Sequence, residues 1–339
     1  MNLEDFSFSL PKHLIARWPL VDRTESKLLV LDRRKGAWNE TIFKNLANLI
    51  DDEYFLVMNN TKVNKARLIG KRATGGKVEI LLIQKLNEYE YTALIKGKVN
   101  NNEIIYIQEN IPVQVTKLNE DKLNKITFKG ISGEDVMEGF GTIPIPPYLK
   151  RDAESIDYEY YQTVYAKVPG SIASPTAGLH FDKDLLTQLK KKGVEILEIT
   201  LNVSYGTFNP VKERDINDHV MHSETYHIDK TTMEKINCLK RSGKKLLAVG
   251  TTVVRALEDA ANNRGLLEKE GFQETFLYIK SPYKFKIVDA LITNFHLPKS
   301  SLFILVSAFS GLSLLKDAYR DAIDKNYRFY SYGDGMFIK

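Results

Sequence analysis

The chain is nearly free of cysteine, and its single one, Cys238, excludes both an intrachain disulfide and a thiolate metal cluster. Cys238 falls in a helix predicted over residues 230–242, where the expectation is a small buried residue rather than a nucleophile. Long apolar runs are also missing. The longest, residues 302–309, is far short of the roughly 20 residues that span a bilayer. Met1-Asn2-Leu3-Glu4-Asp5 carries acid where a signal peptide carries base followed by an apolar run. A cytoplasmic protein with no membrane partner is therefore expected. No strand is followed by GxGxxG, and neither GxxxxGK[ST] nor GxSxG occurs, so dinucleotide, P-loop and serine-hydrolase readings lose their main support. HExxH is absent too, and no metal site is expected.

What is present is ordinary for a soluble globular protein: 43% hydrophobic and 27% charged residues over 339 positions, enough chain for two domains. Lys and Arg outnumber Asp and Glu by 48 to 43, a net charge of +5. Short basic groups (Arg33-Arg34-Lys35, Lys190-Lys191-Lys192, Lys240-Arg241 with Lys244-Lys245, and Lys280, Lys284 and Lys286) are spread along the chain. They fit either solvated faces and helix ends or contacts to RNA phosphates.

Periodicity divides the chain into two textures. Residues 27–32 and 54–58 are short apolar strands, and 43–50 has helical spacing. Residues 77–84, 89–96, 103–108, 112–117 and 125–128 are short, rich in Val, Ile and Tyr, and split by Asn, Gly and Asp, the pattern of a small antiparallel barrel or sandwich. Ile143-Pro144-Ile145-Pro146-Pro147-Tyr148 closes that block as a stiff hinge. Beyond it helices predicted at 184–192, 230–242, 251–263, 300–310 and 314–327 alternate with strands at 194–203, 245–250, 276–279 and 288–293. The expected architecture is an α/β main domain built from both ends of the chain (1–60 and 151–339), with an inserted small antiparallel β-barrel domain (61–150).

Four stretches have the residue types that carry chemistry. Ser174-Pro175-Thr176-Ala177-Gly178-Leu179-His180-Phe181 joins small residues, which let a ligand approach the backbone, to a histidine, and Asp182 is placed to cap the next helix. Asp218-His219-Val220-Met221-His222-Ser223-Glu224 is the densest titratable cluster. Helix would put His219 and His222 on one face, and strand would join His222 to Glu224; either suits proton transfer near neutral pH. Gly250-Thr251-Thr252 sits where a strand feeds a helix, a place that favours an anion, and Arg255 and Glu258 are spaced to pair with each other. Asn294-Phe295-His296 is a second strand-to-helix corner, and Tyr327-Arg328-Phe329-Tyr330 fits either base stacking or core packing.

In order, these segments resemble the S-adenosylmethionine:tRNA ribosyltransferase-isomerases of queuosine biosynthesis. The similarity runs from Asp5-Phe6 through Leu28-Leu29-Val30-Leu31-Asp32-Arg33, Ala73-Thr74-Gly75-Gly76-Lys77-Val78-Glu79, the Ile143–Tyr148 hinge, Pro175-Thr176-Ala177-Gly178-Leu179-His180-Phe181, Gly206-Thr207-Phe208, His219-Val220-Met221-His222-Ser223-Glu224, Val249-Gly250-Thr251-Thr252, Thr293-Asn294-Phe295-His296-Leu297-Pro298 and Tyr327-Arg328-Phe329. The resemblance implies ribosyl transfer from S-adenosylmethionine, a co-substrate rather than a cofactor, to tRNA carrying 7-aminomethyl-7-deazaguanine, by a monomer. It makes His180, His219 and His222 candidates for proton transfer, with Glu224 tuning one of them. Thr176, Gly178, Thr251, Thr252, Asn294 and His296 become candidates for substrate binding. Several positions depart from the family pattern, among them Ala173-Ser174, Lys96-Gly97-Lys98-Val99, and Asn60 and Asn202, which stand where a carboxylate and an imidazole are usual. A non-catalytic tRNA-binding paralogue and a methyltransferase are the competing readings.

Overall fold

A computed structural model describes residues 1–118, 123–203 and 211–339. Its frame is a nine-stranded mixed sheet in the order Gly271–Thr275, Glu224–Ile228, Glu195–Asn202, Tyr54–Asn59, Lys245–Val249, Ala290–Asn294, Gly335–Ile338, Lys27–Asp32 and Ala37–Ile42. The four strands from Glu195–Asn202 to Ala290–Asn294 run parallel. The three inner ones, Tyr54–Asn59, Lys245–Val249 and Ala290–Asn294, are almost continuously apolar because both faces are covered, whereas Glu195–Asn202 is only half-buried and carries Glu195, Glu198 and Thr200. On one face Leu56, Met58, Leu247 and Val249 pack with Phe43, Phe181, Leu185 and Leu189. On the other, Phe55, Val57, Leu246 and Ala248 meet Val253 and Leu257 of helix Thr251–Ala260 and Phe303 and Ile304 of helix Ser301–Ser310.

The second body is a closed six-stranded antiparallel barrel, Leu123–Phe128, Glu90–Lys96, Lys77–Lys85, Arg67–Arg72, Glu103–Ile107 and Ile111–Lys117 in order around the wall. Alternate residues point inward, so Leu68, Val78, Ile80, Ala93, Ile105, Val113 and Ile126 fill it with side chains. The α/β and β-barrel combination expected from the pattern is thus present.

Several local expectations need correction. Residues 276–279 are irregular, and the edge strand lies just before them at Gly271–Thr275. That strand buries little, so its sequence lacks the apolar alternation that marks the others. The helix after Gly250 ends at Ala260. Cys238 is exposed, since helix Lys230–Arg241 turns Ile236, Asn237 and Leu239 inward instead. Strands Ala37–Ile42, Thr61–Val63 and Arg67–Arg72 escaped notice because they are short, exposed on one side, or interrupted by Gly70. Among the described residues no single helix is long and apolar enough to cross a membrane.

Candidate functional site

In an open α/β sheet, ligands collect in the crevice beyond the carboxyl ends of the parallel strands. A cleft lies there. One wall is the loop Ser174-Pro175-Thr176-Ala177; the floor is Thr293 and Asn294 at the end of one strand and Gly250 at the end of its neighbour. Thr251, Thr252, His296, Leu302, Tyr330 and Ser331 complete it with Val203. Gly250 adopts φ +100° and passes the chain straight into helix Thr251–Ala260, which has no side-chain cap. Its first-turn amides are therefore available to a carboxylate or phosphate.

Two residues that line this cleft carry buried polar atoms without a hydrogen-bond partner among the described residues, Asn294 Oδ1 and Ser174 Oγ. Buried polar groups are paired in nearly all native structures, so such orphans mark where a ligand supplies the missing bond. The Asn294 amide is oriented by its other end. Nδ2 donates to Tyr330 O at 3.0 Å, to Ser331 O at 3.5 Å and to His180 Nε2 at 3.3 Å. Three acceptors around the nitrogen leave Oδ1 as an acceptor looking for a donor.

His180 is thereby defined as well. With Nε2 accepting, Nδ1 carries the proton and donates to Ser26 Oγ at 2.8 Å, whose hydroxyl donates to Arg23 O at 3.2 Å. Phe43 stacks on the ring at 4.8 Å. Burial, reinforced by Arg328 and Arg23, pushes the imidazole down to about 3. His296 is likewise pushed down to about 3 by burial, and its Nε2 meets Thr293 Oγ1 at 2.9 Å. Both rings are neutral at physiological pH.

The cleft brings together Thr176, Thr251, Thr252, Asn294 and His296. Gly178 packs behind the loop: a Cβ there would lie 1.9 Å from Tyr165 Oη. His180 backs the cleft through Asn294 and lines a second cavity. His219, His222 and Glu224 do not line the cleft. They lie on the segment leading into strand Glu224–Ile228, whose first residues pair with Asn202 at the same end of the sheet. That segment is neither helix nor strand before Glu224, so neither geometry expected for the cluster forms. His219 Nδ1 contacts Glu213 Oε2 at 2.8 Å, and His222 is exposed.

Glu224 is buried and ion-paired with Arg255, which also donates to Leu277 O at 2.9 Å. Arg255 and Glu258 do not pair with each other. Their helix is buried on every side, so Glu258 instead accepts from the backbone of Lys286, Ile287 and Val288 and from Tyr283 Oη, at 2.8 to 3.2 Å. Asn60 and Asn202 bond within the strand ends, Asn60 with Glu198 and Thr200, and Asn202 with Thr61. Sequence reasoning missed the part played by Ser26 and Ser331, and no local signal marks either; Ser26 reaches His180 across 154 residues. Gly206-Thr207-Phe208 of the family pattern lies outside the described residues.

A family model described as "Queuosine biosynthesis protein" matches residues 3–338. The chain is 47% identical to the S-adenosylmethionine:tRNA ribosyltransferase-isomerase of Aquifex aeolicus and 44% identical to that of Geotalea uraniireducens, each over the full length of both chains. It superimposes on the crystal structure of the S-adenosylmethionine tRNA ribosyltransferase of Thermotoga maritima with a TM-score of 0.57 and 32% identity, covering 99% of this chain and all of that one.

Proposed function

The chain belongs to the queuosine biosynthesis protein family, and on that premise we propose that it is a transferase moving and isomerising the ribosyl group of S-adenosylmethionine. The acceptor is the 7-aminomethyl of a 7-deazaguanine at the tRNA wobble position. The products are epoxyqueuosine-tRNA, adenine and methionine, and the location is the cytoplasm. The names of its relatives carry this activity, and one observation in the structure favours it: an uncapped helix start and Asn294, whose Oδ1 is an orphan acceptor, line the same cleft. The first suits a carboxylate; the second suits an N–H or O–H of the ligand.

The chemistry follows from the sulfonium, which acidifies the ribose 5′ carbon. A base removes a proton there, adenine departs with a proton, an epoxide forms, and the amine attacks the sugar while methionine leaves. Thr251 and Thr252 hold the methionine carboxylate; Thr176, Asn294 and His296 hold the ribose and adenine, and Gly178 lets their loop close on Tyr165. His222 and His219, outside the cleft but at the same end of the sheet, are the proposed proton carriers, with Glu224 tuning His222 through Arg255, whose Nη2 lies 3.5 Å from His222 O. His180, neutral and internally bonded, positions Asn294 instead of donating. Incubation with S-adenosylmethionine and tRNA bearing the deazaguanine tests the reading. Adenine and methionine in equal amounts support it, whereas S-adenosylhomocysteine indicates methylation and binding without turnover indicates a non-catalytic paralogue. His222→Ala lowers turnover far more than tRNA affinity; unchanged turnover removes His222 from the mechanism.

A further inference from the structure

Trp18 is exposed to 45% yet rigidly held. Its carbonyl accepts from Arg328 Nη2. The Arg151 guanidinium lies over one face of its ring, 5.0 Å from the centroid. Arg151 is itself fixed by two bonds to the buried Asp157, at 2.6 and 2.8 Å, and by Nε donating to Arg17 O at 3.0 Å. One face of the indole is thus backed by a cation and the side chain is presented outward. Such a pre-ordered aromatic surface costs little entropy when it binds a planar partner.

The position gives that surface a context. The next residues, Pro19 and Leu20, line the second cavity with Arg23, Tyr160 and His180, and Ser331 lines both that cavity and the substrate cleft. No acidic residue occurs from Ser7 to Val21, where Lys12 and Arg17 are exposed. An exposed, cation-backed aromatic beside basic side chains is the combination that binds unpaired nucleotides, by stacking on bases and neutralising phosphates.

We propose that Trp18 is the platform on which an unpaired nucleobase of the RNA substrate, adjacent to the modified one, stacks across the second cavity. This rests on the reading that tRNA is the substrate. Among the other exposed aromatics, Phe272 at 85% in the opposite edge strand and Phe276 at 62% just past its end serve as the control surface.

The chain has two tryptophans, so a Trp38→Phe protein reports on Trp18 alone. It is titrated with a tRNA anticodon stem-loop hairpin while anisotropy of end-labelled hairpin follows binding independently. Trp18 emission should be quenched with the same midpoint as the anisotropy, and a blunt duplex lacking the loop should not quench it. Trp18→Ala should weaken hairpin binding about tenfold or more, in keeping with the loss of one stacked base. Trp18→Phe should recover most of that loss, and the KM for S-adenosylmethionine should be unchanged in both. Hairpin binding with unchanged Trp18 emission overturns the proposal, as does weakening by Phe276→Ala but not by Trp18→Ala. Absence of any hairpin binding overturns the substrate reading along with it, so the two failures are distinguishable.

Discussion

Asn294 and His180, 114 residues apart in sequence, fix each other's polarity through one bond: the asparagine Nδ2 donates to the histidine Nε2 at 3.3 Å. That bond keeps the imidazole proton on Nδ1, facing Ser26, and leaves Asn294 Oδ1 a buried acceptor without a partner among the described residues. A histidine that looks catalytic in the sequence is thus bonded on both ring nitrogens, to Ser26 and to Asn294.

Removing the acceptor should weaken the ligand. Asn294→Ala is expected to raise the Kd for S-adenosylmethionine by about tenfold, since a hydrogen bond to a buried group is worth roughly 1–3 kcal/mol when its partner is deleted. Isothermal titration measures it, with a melting curve to confirm folding. An unchanged Kd in a folded variant means that Oδ1 faces no ligand donor.

The two buried histidines predict a pH dependence of stability. Both are held at about 3, below the ordinary value of 6.5. Between those limits the unfolded chain binds protons that the native state refuses, so stability is complete above pH 6.5 and falls as the pH drops. The slope is on the order of 1.4 kcal/mol per pH unit for each histidine once the unfolded imidazole is charged. Urea midpoints from pH 7 to pH 5 measure the slope, and His180→Gln should reduce it by about half. An unchanged slope in that variant would assign the protons elsewhere.

The buried Arg255–Glu224 pair should be far more sensitive to losing one partner than both. Arg255→Met leaves Glu224 charged in a site it shares with little water, and is expected to destabilise by about 3–5 kcal/mol. Combining it with Glu224→Leu should restore part of that loss. Chemical denaturation of the two single variants and the double variant closes the cycle; strict additivity would show the two side chains to be energetically independent.

Gly178 tests the shape of the loop. A methyl group there collides with Tyr165 Oη at 1.9 Å and with Thr163 Cγ2 at 2.9 Å. Gly178→Ala should therefore displace Thr176 from the cleft and destabilise by about 1–3 kcal/mol. Gly178→Ala combined with Tyr165→Phe, which removes the nearest atom but leaves Thr163 Cγ2 at 2.9 Å, should recover part of both stability and activity. No recovery would mean that the glycine serves another purpose.

The fold was legible where burial writes itself into the sequence. The central strands Tyr54–Asn59, Lys245–Val249 and Ala290–Asn294, covered on both faces, are apolar along their middles, and the barrel strands alternate. The edge strand Gly271–Thr275 and the half-exposed Ala37–Ile42 carry no such mark. The cleft was legible at Thr251, Thr252, Asn294 and His296 because strand-to-helix corners have a recognisable composition. Ionisable residues were harder to place. His180 and His296 combine a titratable side chain with complete burial, and Arg255 and Glu258 have a spacing that suits an exposed helix and partners that belong to a buried one. Sequence spacing shows which groups are near along one element, while the three-dimensional neighbours decide their charge.

Transfer of a ribose label is the deciding measurement. S-adenosylmethionine carrying radiolabel in its ribose is incubated with the protein and tRNA bearing 7-aminomethyl-7-deazaguanine. Label should enter the tRNA in a one-to-one ratio with free adenine, and tRNA without the modified base should remain unlabelled. Label left wholly in soluble adenosyl products, or transferred only when it is placed in the methyl group, would contradict ribosyl transfer by this protein.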